Sequence, residues 1–409
     1  MIVNNLRVED ICDFIGGSQP AKSEFINEPK EGYVRLIQTR DYKTDAFPTY
    51  IPEKSTRKFC DVDDVMIGRY GPPIFQICRG LKGAYNVALL KAKPKKGIDR
   101  EFLYYFLKQD AVFQYVDKLS ARTGGQTGVD LVSLNKYPVR VPTDIDDQEK
   151  LVASLVAIDK KIELNNRINA ELEYMAKTLY DYWFVQFDFP DAKGKPYKTS
   201  GGKMVYNPTL KREIPKGWEA DNVLKVAQLL GGGTPTKTKY EYWNGAIPFF
   251  TPTDSDKNIF SIETEDYITE EGLQKSSTRL FEPYTVFITA RGSVGRLALN
   301  AVPMAMNQSC YALRAKDGIS HTFLFFLTKE LIHHLEVKAS GSVFNSIVSN
   351  DIEYTNLAFP SGSELFKKYA EIAEPIFEKI ESTTKENKKL SSLRDWLLPM
   401  LMNGQVTVK

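Results

Sequence analysis

The sequence LVASLVAIDKKIELNNRINAELEYMAKTLYDYW, residues Leu151–Trp183, carries mostly apolar side chains at alternating steps of four and three. The same spacing recurs 218 residues later, in Tyr369–Leu401. A stripe of this kind over four or more heptads is typical of a coiled coil, and polar residues in its middle, such as Asn165 and Asn387, fix register. Because the register itself is repeated, we predict two long helices, and packing them antiparallel gives the molecule approximate two-fold symmetry. Two unrelated amphipathic helices are the alternative, and Pro375 predicts either a kink or a later start of the second helix.

The segments before these helices are also repeated in sequence. Ile15–Lys22 (IGGSQPAK) resembles Leu230–Lys237 (LGGGTPTK), and Val65–Gly71 (VMIGRYG) resembles Val286–Gly292 (VFITARG). Further matches follow in the same order: Ala84–Asn86 with Ala305–Asn307, Leu90–Lys93 with Leu313–Lys316, and Phe102–Leu107 with Phe323–Leu327. The offset stays between 215 and 223 residues, so the chain is a tandem duplication with small loop insertions.

Each half combines short β-rich runs with a helix that precedes the long helix. The β-rich runs are Val34–Gln38, Val65–Ile67, Tyr85–Leu90, Ile247–Thr251, Thr285–Thr289 and Cys310–Leu313. The helices are expected around Phe102–Leu119 and Phe323–Lys338. The Pro- and Gly-rich stretch Phe187–Trp218 is a connector, with one short hairpin expected at GKPYKTSGGKMVY (Gly194–Tyr206). The fold class is therefore α+β, with two similar mixed α/β modules, two long coiled-coil helices and pseudo-two-fold symmetry from the duplication.

Composition and motifs exclude several classes of protein. The 409 residues are 42% apolar with a formal net charge of +2, and no apolar stretch is long enough to span a bilayer. The opening MIVNNLRVED lacks the layout of a secretion signal, so we expect a cytoplasmic protein. The scattered cysteines predict no disulfide scaffold or zinc module. We find no phosphate loop, dinucleotide fingerprint, nucleophile elbow or zinc-protease motif, so we expect neither a metal nor a cofactor in this chain.

The near-zero total charge hides local excesses. Residues 79–140 contain twelve basic and five acidic residues, and residues 188–216 contain seven basic and three acidic ones. A basic excess beside polar loops is typical of a surface that binds duplex DNA, whereas a solvated face is the alternative.

Polar loops supply the candidate DNA contacts. Arginine can bond guanine bidentately and Asn or Gln can do so to adenine, so these side chains suit readout of the major groove. The glycine-rich Arg291–Arg296 could be a tight turn or a phosphate cradle, and Asn86 and Asn307 could instead stabilise a turn in both copies. The candidates are Gln38, Arg40, Lys43, Arg69, Tyr70, Arg122 and Gln126 in the first module, and Thr253, Lys257, Arg291, Ser293, Asn307, Gln308 and Asn345 in the second.

Three stretches carry a resemblance to a known family. The helix LNNRINAELEYMAKTLYDYWFVQFDFP (Leu164–Pro190), IPKGWE (Ile214–Glu219) and ITARGSVGRLAL (Ile288–Leu299) resemble a type I restriction–modification specificity subunit, and the similarity covers almost the whole chain. The first module departs from the pattern, because it opens with NLRVEDICDFIGG (Asn5–Gly17) rather than Gly-Trp-Glu.

The resemblance implies a non-catalytic chain that reads double-stranded DNA. Methylation subunits would dock on the long helices and supply S-adenosylmethionine binding, while restriction subunits would supply the chemistry that needs ATP and Mg. It also implies target-recognition domains at residues 1–145 and 218–363, spacer helices at 146–187 and 364–403, and a connector at 188–217.

Two modules with different loops predict a bipartite, asymmetric target. Each heptad run spans about 50 Å at ~1.5 Å per residue, and DNA repeats every ~34–36 Å, so the helices could set the spacing between two half-sites. The main alternative is a coiled-coil interaction scaffold whose two domains bind no DNA. An enzyme acting on DNA by itself would need a cofactor or metal site that the sequence does not reveal.

Overall fold

A computed structural model describes residues 2–71, 74–120, 128–255, 258–338 and 346–406. The chain divides into two compact units. The first unit comprises Met1–Lys161 with Leu390–Lys409, and the second comprises Ile162–Lys389. Each unit therefore holds one globular module together with segments of both long helices.

The first module combines small sheets with short helices. Its strands are β1 (Val3–Arg7), β2 (Cys12–Gly16), β3 (Tyr33–Ile37), β4 (Tyr50–Pro52), β5 (Phe59–Cys60), β6 (Val65–Gly68), β7 (Ile77–Cys78), β8 (Gly83–Tyr85), β9 (Leu89–Pro94) and β10 (Pro138–Pro142). Its helices are α1 (Val8–Ile11), α2 (Arg100–Leu107), α3 (Asp110–Ser120) and α4 (Leu131–Asn135). The strand orders are β2-β9-β6-β7, β4-β3-β8-β5 and β1-β10. The single helix expected over Phe102–Leu119 is wrong, because the chain breaks between α2 and α3.

The first long helix leads into the connector. Helix α5 spans Ile145–Tyr180 and continues as a π-helical turn over Asp181–Val185. The connector contains one antiparallel hairpin, formed by β11 (Met204–Asn207) and β12 (Arg212–Pro215). The hairpin therefore exists but lies later than the predicted Gly194–Tyr206.

The second module repeats the same mixture. Its strands are β13 (Trp218–Asp221), β14 (Ala227–Gly231), β15 (Trp243–Phe250), β16 (Phe260–Ser261), β17 (Asp266–Ile268), β18 (Val286–Thr289), β19 (Leu297–Asn300), β20 (Ala305–Met306), β21 (Cys310–Ala315) and β22 (Leu357–Pro360). Its helices are α6 (Glu270–Gln274), α7 (His321–Lys338) and α8 (Ser349–Glu353), and the second long helix, α9, spans Glu364–Met402. The strand orders are β14-β21-β18-β19-β16, β17-β15-β20 and β13-β22.

The sheet topology confirms the duplication. The order β2-β9-β6 in the first module matches β14-β21-β18 in the second, and both sets are antiparallel. The parallel pair β3–β8 matches the parallel pair β15–β20. The pairs β1–β10 and β13–β22 close the two modules in the same way. The predicted α+β class with two similar mixed modules is therefore confirmed.

Contacts within the second unit show that α5 and α9 run antiparallel. The Nδ2 of Asn165 donates to Oδ1 of Asn387 at 2.8 Å, and the hydroxyl of Tyr369 donates to the carbonyl of Ala176 at 3.4 Å. Partner numbers thus fall along α9 as they rise along α5. The polar middle predicted from sequence joins the two helices, so the alternative of unrelated helices is wrong. Helix α9 begins at Glu364, before Pro375, so a later start is also wrong.

Each module buries its core against the first turns of one long helix and the last turns of the other. Each large apolar side chain buried in this way contributes about 1.5–3 kcal/mol. The buried residues are Leu151, Leu155, Leu398 and Leu401 in the first unit, and Tyr369, Ala373, Tyr180 and Trp183 in the second. These sets correspond at the 218-residue offset, so both copies use the same helix positions.

One helix position differs in chemistry between the copies. In the first unit Asp159 of α5 accepts hydrogen bonds from the hydroxyl of Tyr105 at 2.7 Å and from Nη1 of Arg394 at 2.8 Å. Burial works against the charged carboxylate, but these two bonds and the positive charges of Lys108 and Arg394 together outweigh it and hold the pKa of Asp159 below its usual value. The corresponding position in the second unit is Phe377, whose ring lies 5.6 Å from that of Phe326.

We expect Asp159→Asn to lower the free energy of unfolding of the first unit by about 2 kcal/mol at neutral pH, because charged hydrogen bonds are lost. A carboxylate with a depressed pKa contributes stability above its unfolded pKa of about 3.9, and this is lost as pH falls through the folded value. The difference from the unmodified chain should therefore shrink below about pH 4.

Denaturant unfolding at several pH values measures this difference. Asp395→Asn is the matched control, because Asp395 bonds the same Arg394 at 2.8 Å while its side chain is 66% exposed. Equal costs for the two substitutions would contradict a special role for Asp159.

Candidate nucleic-acid interface

The first pair of candidate loops is closed by the same backbone-to-aspartate hydrogen bond in both modules. After β3, the backbone N–H of Gln38 donates to the carboxylate of Asp41 at 2.7 Å, and after β15 that of Thr251 donates to Asp254 at 2.7 Å. Each aspartate closes a short 3-10 turn, as a capping box does. Asp41 is 5% exposed, and burial raises its pKa despite this bond.

These two turns present the predicted contact residues to solvent. Arg40 and Thr253 are exposed at the turns, Lys43 is exposed just after the first one, and Gln38 is half-buried. The guanidinium of Arg40 donates to Oγ1 of Thr49 at 3.3 Å, which orients it toward the following loop. Matching turns thus carry Arg40 in the first module and Thr253 in the second.

The second pair of candidate loops follows β6 and β18. Arg69 lies over the ring of Tyr70 at 5.0 Å, and Tyr70 forms an isolated bridge with Gly128. In the second module exposed Arg291 forms the corresponding bridge with Ser346. Strand ends that match in topology therefore carry Tyr70 in one copy and Arg291 in the other.

The glycine-rich segment after Arg291 is a tight turn. The N–H of Gly295 donates to the carbonyl of Thr289 at 2.9 Å, and that of Arg296 donates to Oγ1 of Thr289 at 2.9 Å. Ser293, which is half-buried, accepts a hydrogen bond from the Thr289 hydroxyl through its carbonyl. Of the two structures considered for this segment from sequence, the tight turn is therefore the one that its hydrogen bonds form.

The third pair of loops is organised by matched asparagines. Oδ1 of Asn86 accepts from the N–H of Ala88 at 3.1 Å, and Oδ1 of Asn307 accepts from that of Ser309 at 3.0 Å. Asn307 therefore supports a turn, the alternative anticipated from sequence, and next to it Gln308 is exposed. A Cβ at Gly232 would lie 2.1 Å from the carbonyl oxygen of Asn307, so this close approach requires glycine.

Phe47 is an exposed side chain that the sequence does not single out, and four candidates lie outside the described residues. Phe47 is 67% exposed, in a loop held by the 2.7 Å ion pair of Arg35 and Asp45. No sequence signal identifies it, because an isolated phenylalanine usually indicates core. The candidates outside the described residues are Arg122, Gln126, Lys257 and Asn345.

The basic excess of residues 79–140 is partly neutralised in three dimensions, because five of its twelve basic residues form ion pairs. Lys91 bonds Asp64 at 2.8 Å, and Lys82 bonds Asp61 at 3.3 Å. Further pairs join Arg79 to Glu101, Lys95 to Asp13 and Arg100 to Asp63. Most of these carboxylates lie outside residues 79–140, so the sequence count overstates the charge available for DNA.

All four cysteines of the chain are buried. Burial raises the pKa of Cys12 and Cys310 to about 12 and that of Cys60 and Cys78 to about 11, so these thiols stay protonated. Within the part of the chain that the structure describes, no three His, Cys, Asp or Glu side chains group as metal ligands. No helix in that part combines the length and apolarity that a membrane crossing requires.

Comparison with known proteins identifies the family. The model of the type I restriction modification DNA specificity domain matches residues 3–174 and 215–392. The chain belongs to this family. The two matched stretches correspond to the two copies of the duplication, so the specificity domain occurs twice.

Relatives of this specificity-domain chain cover most of its length. It is 27% identical to the MjaIX type I restriction enzyme specificity subunit of Methanocaldococcus jannaschii, over 77% of this chain and 71% of that protein. It is 24% identical to the HindI specificity subunit of Haemophilus influenzae, over 75% of this chain and 77% of that protein. The crystal structure of the type I S subunit from M. genitalium matches with a TM-score of 0.58 at 14% identity, covering 98% and 96% of the two chains, and shows a similar fold.

The contribution of each turn-closing aspartate to the stability of its turn should be measurable separately. We expect Asp41→Ala to destabilise the turn after β3 by about 1 kcal/mol, as loss of a helix cap does. Asp254→Ala should cost more, because Asp254 accepts hydrogen bonds from the N–H groups of both Thr251 and Glu265.

Amide hydrogen exchange measures the two effects. Exchange at Gln38 should accelerate in Asp41→Ala and exchange at Thr251 in Asp254→Ala, each leaving the other module unchanged. Unaltered protection at both amides would refute the proposed role of the carboxylates.

Proposed function

We propose that the chain selects a bipartite, asymmetric double-stranded DNA target for methylation and restriction subunits. The observation that supports this most directly is the correspondence between loops of the two modules. Loops at matched strand ends are stabilised by the same backbone hydrogen bonds and bridges in both modules, but they carry different side chains. Arg40 corresponds to Thr253, and Tyr70 to Arg291, on similar supports. Such loops would read two different short sequences.

The exposed and half-buried candidate side chains suggest several modes of contact. Arg40, Arg69 and Arg291 can form bidentate bonds to guanine, and Gln38 or Gln308 can bond adenine in the same way. Lys43, Thr253 and Ser293 suit phosphate or single base-edge contacts. Asn307 would act mainly by shaping its turn, since its Oδ1 already accepts a hydrogen bond.

The long helices would set the unread gap between the two half-sites. Helix α5 has 36 residues and α9 has 39, and a helix of that size is about 54–58 Å long. The polar contacts between Asn165 and Asn387 would hold the register on which that gap depends.

The helices also expose apolar side chains that suit docking of partner subunits. Met175 of α5 is 56% exposed and Leu393, 218 residues later in α9, is 44% exposed. Tyr174 and Trp396 lie beside them and are 68% and 56% exposed. Repetition of an exposed apolar position in both copies would provide one docking surface for each of two methylation subunits.

In this scheme the chain itself performs no catalysis. S-adenosylmethionine would bind to the methylation subunits, and ATP and Mg to the restriction subunits. The specificity chain would contribute base recognition and the spacing of its two modules.

Selection of duplexes from a randomised pool tests the DNA proposal, using the chain co-purified with its methylation subunits. We expect enrichment of two different short sequences separated by a fixed gap. Arg291→Ala should reduce discrimination at one half-site and Arg69→Ala at the other, each by about 1–3 kcal/mol per guanine contact. Binding indifferent to sequence would contradict the proposal, and equal losses at both half-sites would remove Arg291 from base recognition.

A separate prediction concerns the docking surfaces. Met175→Glu and Leu393→Glu should each remove about one methylation subunit from the complex, and the double variant both, because a charge replaces buried apolar contact. Analytical ultracentrifugation measures the stoichiometry. Lys160→Glu is the control on an exposed, polar position of α5. Full assembly of the double variant would exclude these surfaces.

A further inference from the structure

The connector is a rigid lobe rather than a flexible linker. The ring of Phe189 stacks between Tyr197 at 4.7 Å and Trp218 at 5.5 Å. The carboxylate of Asp188 accepts from the N–H of Thr199 at 2.7 Å, and the hairpin β11–β12 completes the lobe. Residues 188–217, which we call the connector lobe, therefore present their side chains from a fixed backbone.

The connector lobe displays exposed lysines that form no ion pair with a described residue, although the charges of Asp188 and Asp191 act on Lys193, Lys195 and Lys198. Its own aspartates are used internally, since Asp191 accepts from the N–H groups of Lys193 and Lys195 at 2.8 and 2.9 Å. Across the described part of the chain, the lysine ion pairs nearest in sequence to the lobe are those of Lys177 and Lys225, and the exposed lysines of the lobe form none. These lysines are Lys193, Lys195, Lys198, Lys203, Lys211 and Lys216.

This pattern contrasts with the other basic stretch of the chain. Between residues 79 and 140, Lys82, Lys91 and Lys95 all have carboxylate partners. Among the described residues, that stretch leaves Lys93, Lys96, Lys108, Lys118, Lys136 and Arg140 without an ion pair, spread over residues 79–140, whereas the connector lobe groups its six unpaired lysines within residues 188–217. Unpaired like charges on a rigid support repel one another, so their grouping favours a polyanionic partner.

The basic surface continues into a cleft of the second unit. Arg212 of β12 lines a cleft of about 510 Å³ together with Lys177, His333 and His334. The carboxylates there are engaged: Asp181 pairs with Lys177, and Glu330 accepts from the hydroxyl of Tyr180 at 2.6 Å. Because Lys177 is paired with Asp181 and Lys329 with Glu173, the cleft adds Arg212 as one further cation beside the hairpin.

We propose that the connector lobe binds phosphates of duplex DNA outside the base pairs that the second module reads. The inference rests on the proposed DNA function and assigns this surface to affinity rather than sequence choice. Lysine suits the role because it is a point charge without the planar fork that reads guanine. A pre-ordered lobe loses little conformational entropy on binding, and each phosphate neutralised releases about 0.9 counterion.

The experiment measures the salt dependence of binding to the preferred duplex, using the chain assembled with its methylation subunits. Two variants remove charge: Lys193→Gln/Lys195→Gln/Lys198→Gln and Lys203→Gln/Lys211→Gln/Lys216→Gln. We expect the slope of log K against log salt to fall by about 1–3 in each, between about 50 and 200 mM salt, while discrimination between target and non-target sequences is retained.

The control replaces the same residues by arginine, which keeps the charge and should keep the slope. A slope unchanged in both glutamine variants would overturn the inference. Loss of methylation subunits with an unchanged slope would also overturn it and assign the lobe to a protein partner. Absence of sequence preference in the unmodified complex would contradict the proposed function instead, while the slopes would still decide whether the lobe binds phosphate.

Discussion

Neither module closes its apolar core without the ends of both long helices. In the first unit the start of α5 and the end of α9 cover the core, through residues such as Leu151 and Leu398. In the second unit the start of α9 and the end of α5 do so, through Tyr369 and Tyr180. Each helix therefore supplies its two ends to two different units. The heptad register consequently determines more than helix pairing, because a shift would remove large side chains from both cores.

The duplicated positions have diverged in chemistry while keeping their place in the fold. Tyr105 bonds Asp159 in the first unit, whereas the corresponding Phe326 packs against Phe377 in the second. The first pair gains from charged hydrogen bonds and depends on pH, while the second gains from apolar burial and does not. Equal topology thus leaves this one helix position with a different response to acid in each copy. Their recognition loops follow the same rule, since the aspartate that closes each turn is shared while Arg40 and Thr253 differ.

The number of basic residues counted along a stretch of sequence differs from the number left without a carboxylate partner after folding. The basic excess of residues 79–140 is reduced by carboxylates that approach from other segments, such as Asp61, Asp64 and Asp13. The connector lobe has fewer basic residues, but its aspartates bond backbone amides and leave its lysines unpaired. The surface most suited to phosphate is therefore the shorter basic stretch.

The sequence by itself determined the duplication, the antiparallel heptads, the mixed modules and the family, because period and repeat are local properties of the chain. It also placed Gln38, Thr253, Arg69 and Arg291 at the ends of β-rich runs. Only the tertiary structure decided that α2 and α3 separate, that Asp41 closes a turn from a buried position, and that Asp159 meets Arg394. The contact between Asp159 and Arg394 brings side chains 235 residues apart within hydrogen-bond distance, and no local pattern encodes such an approach.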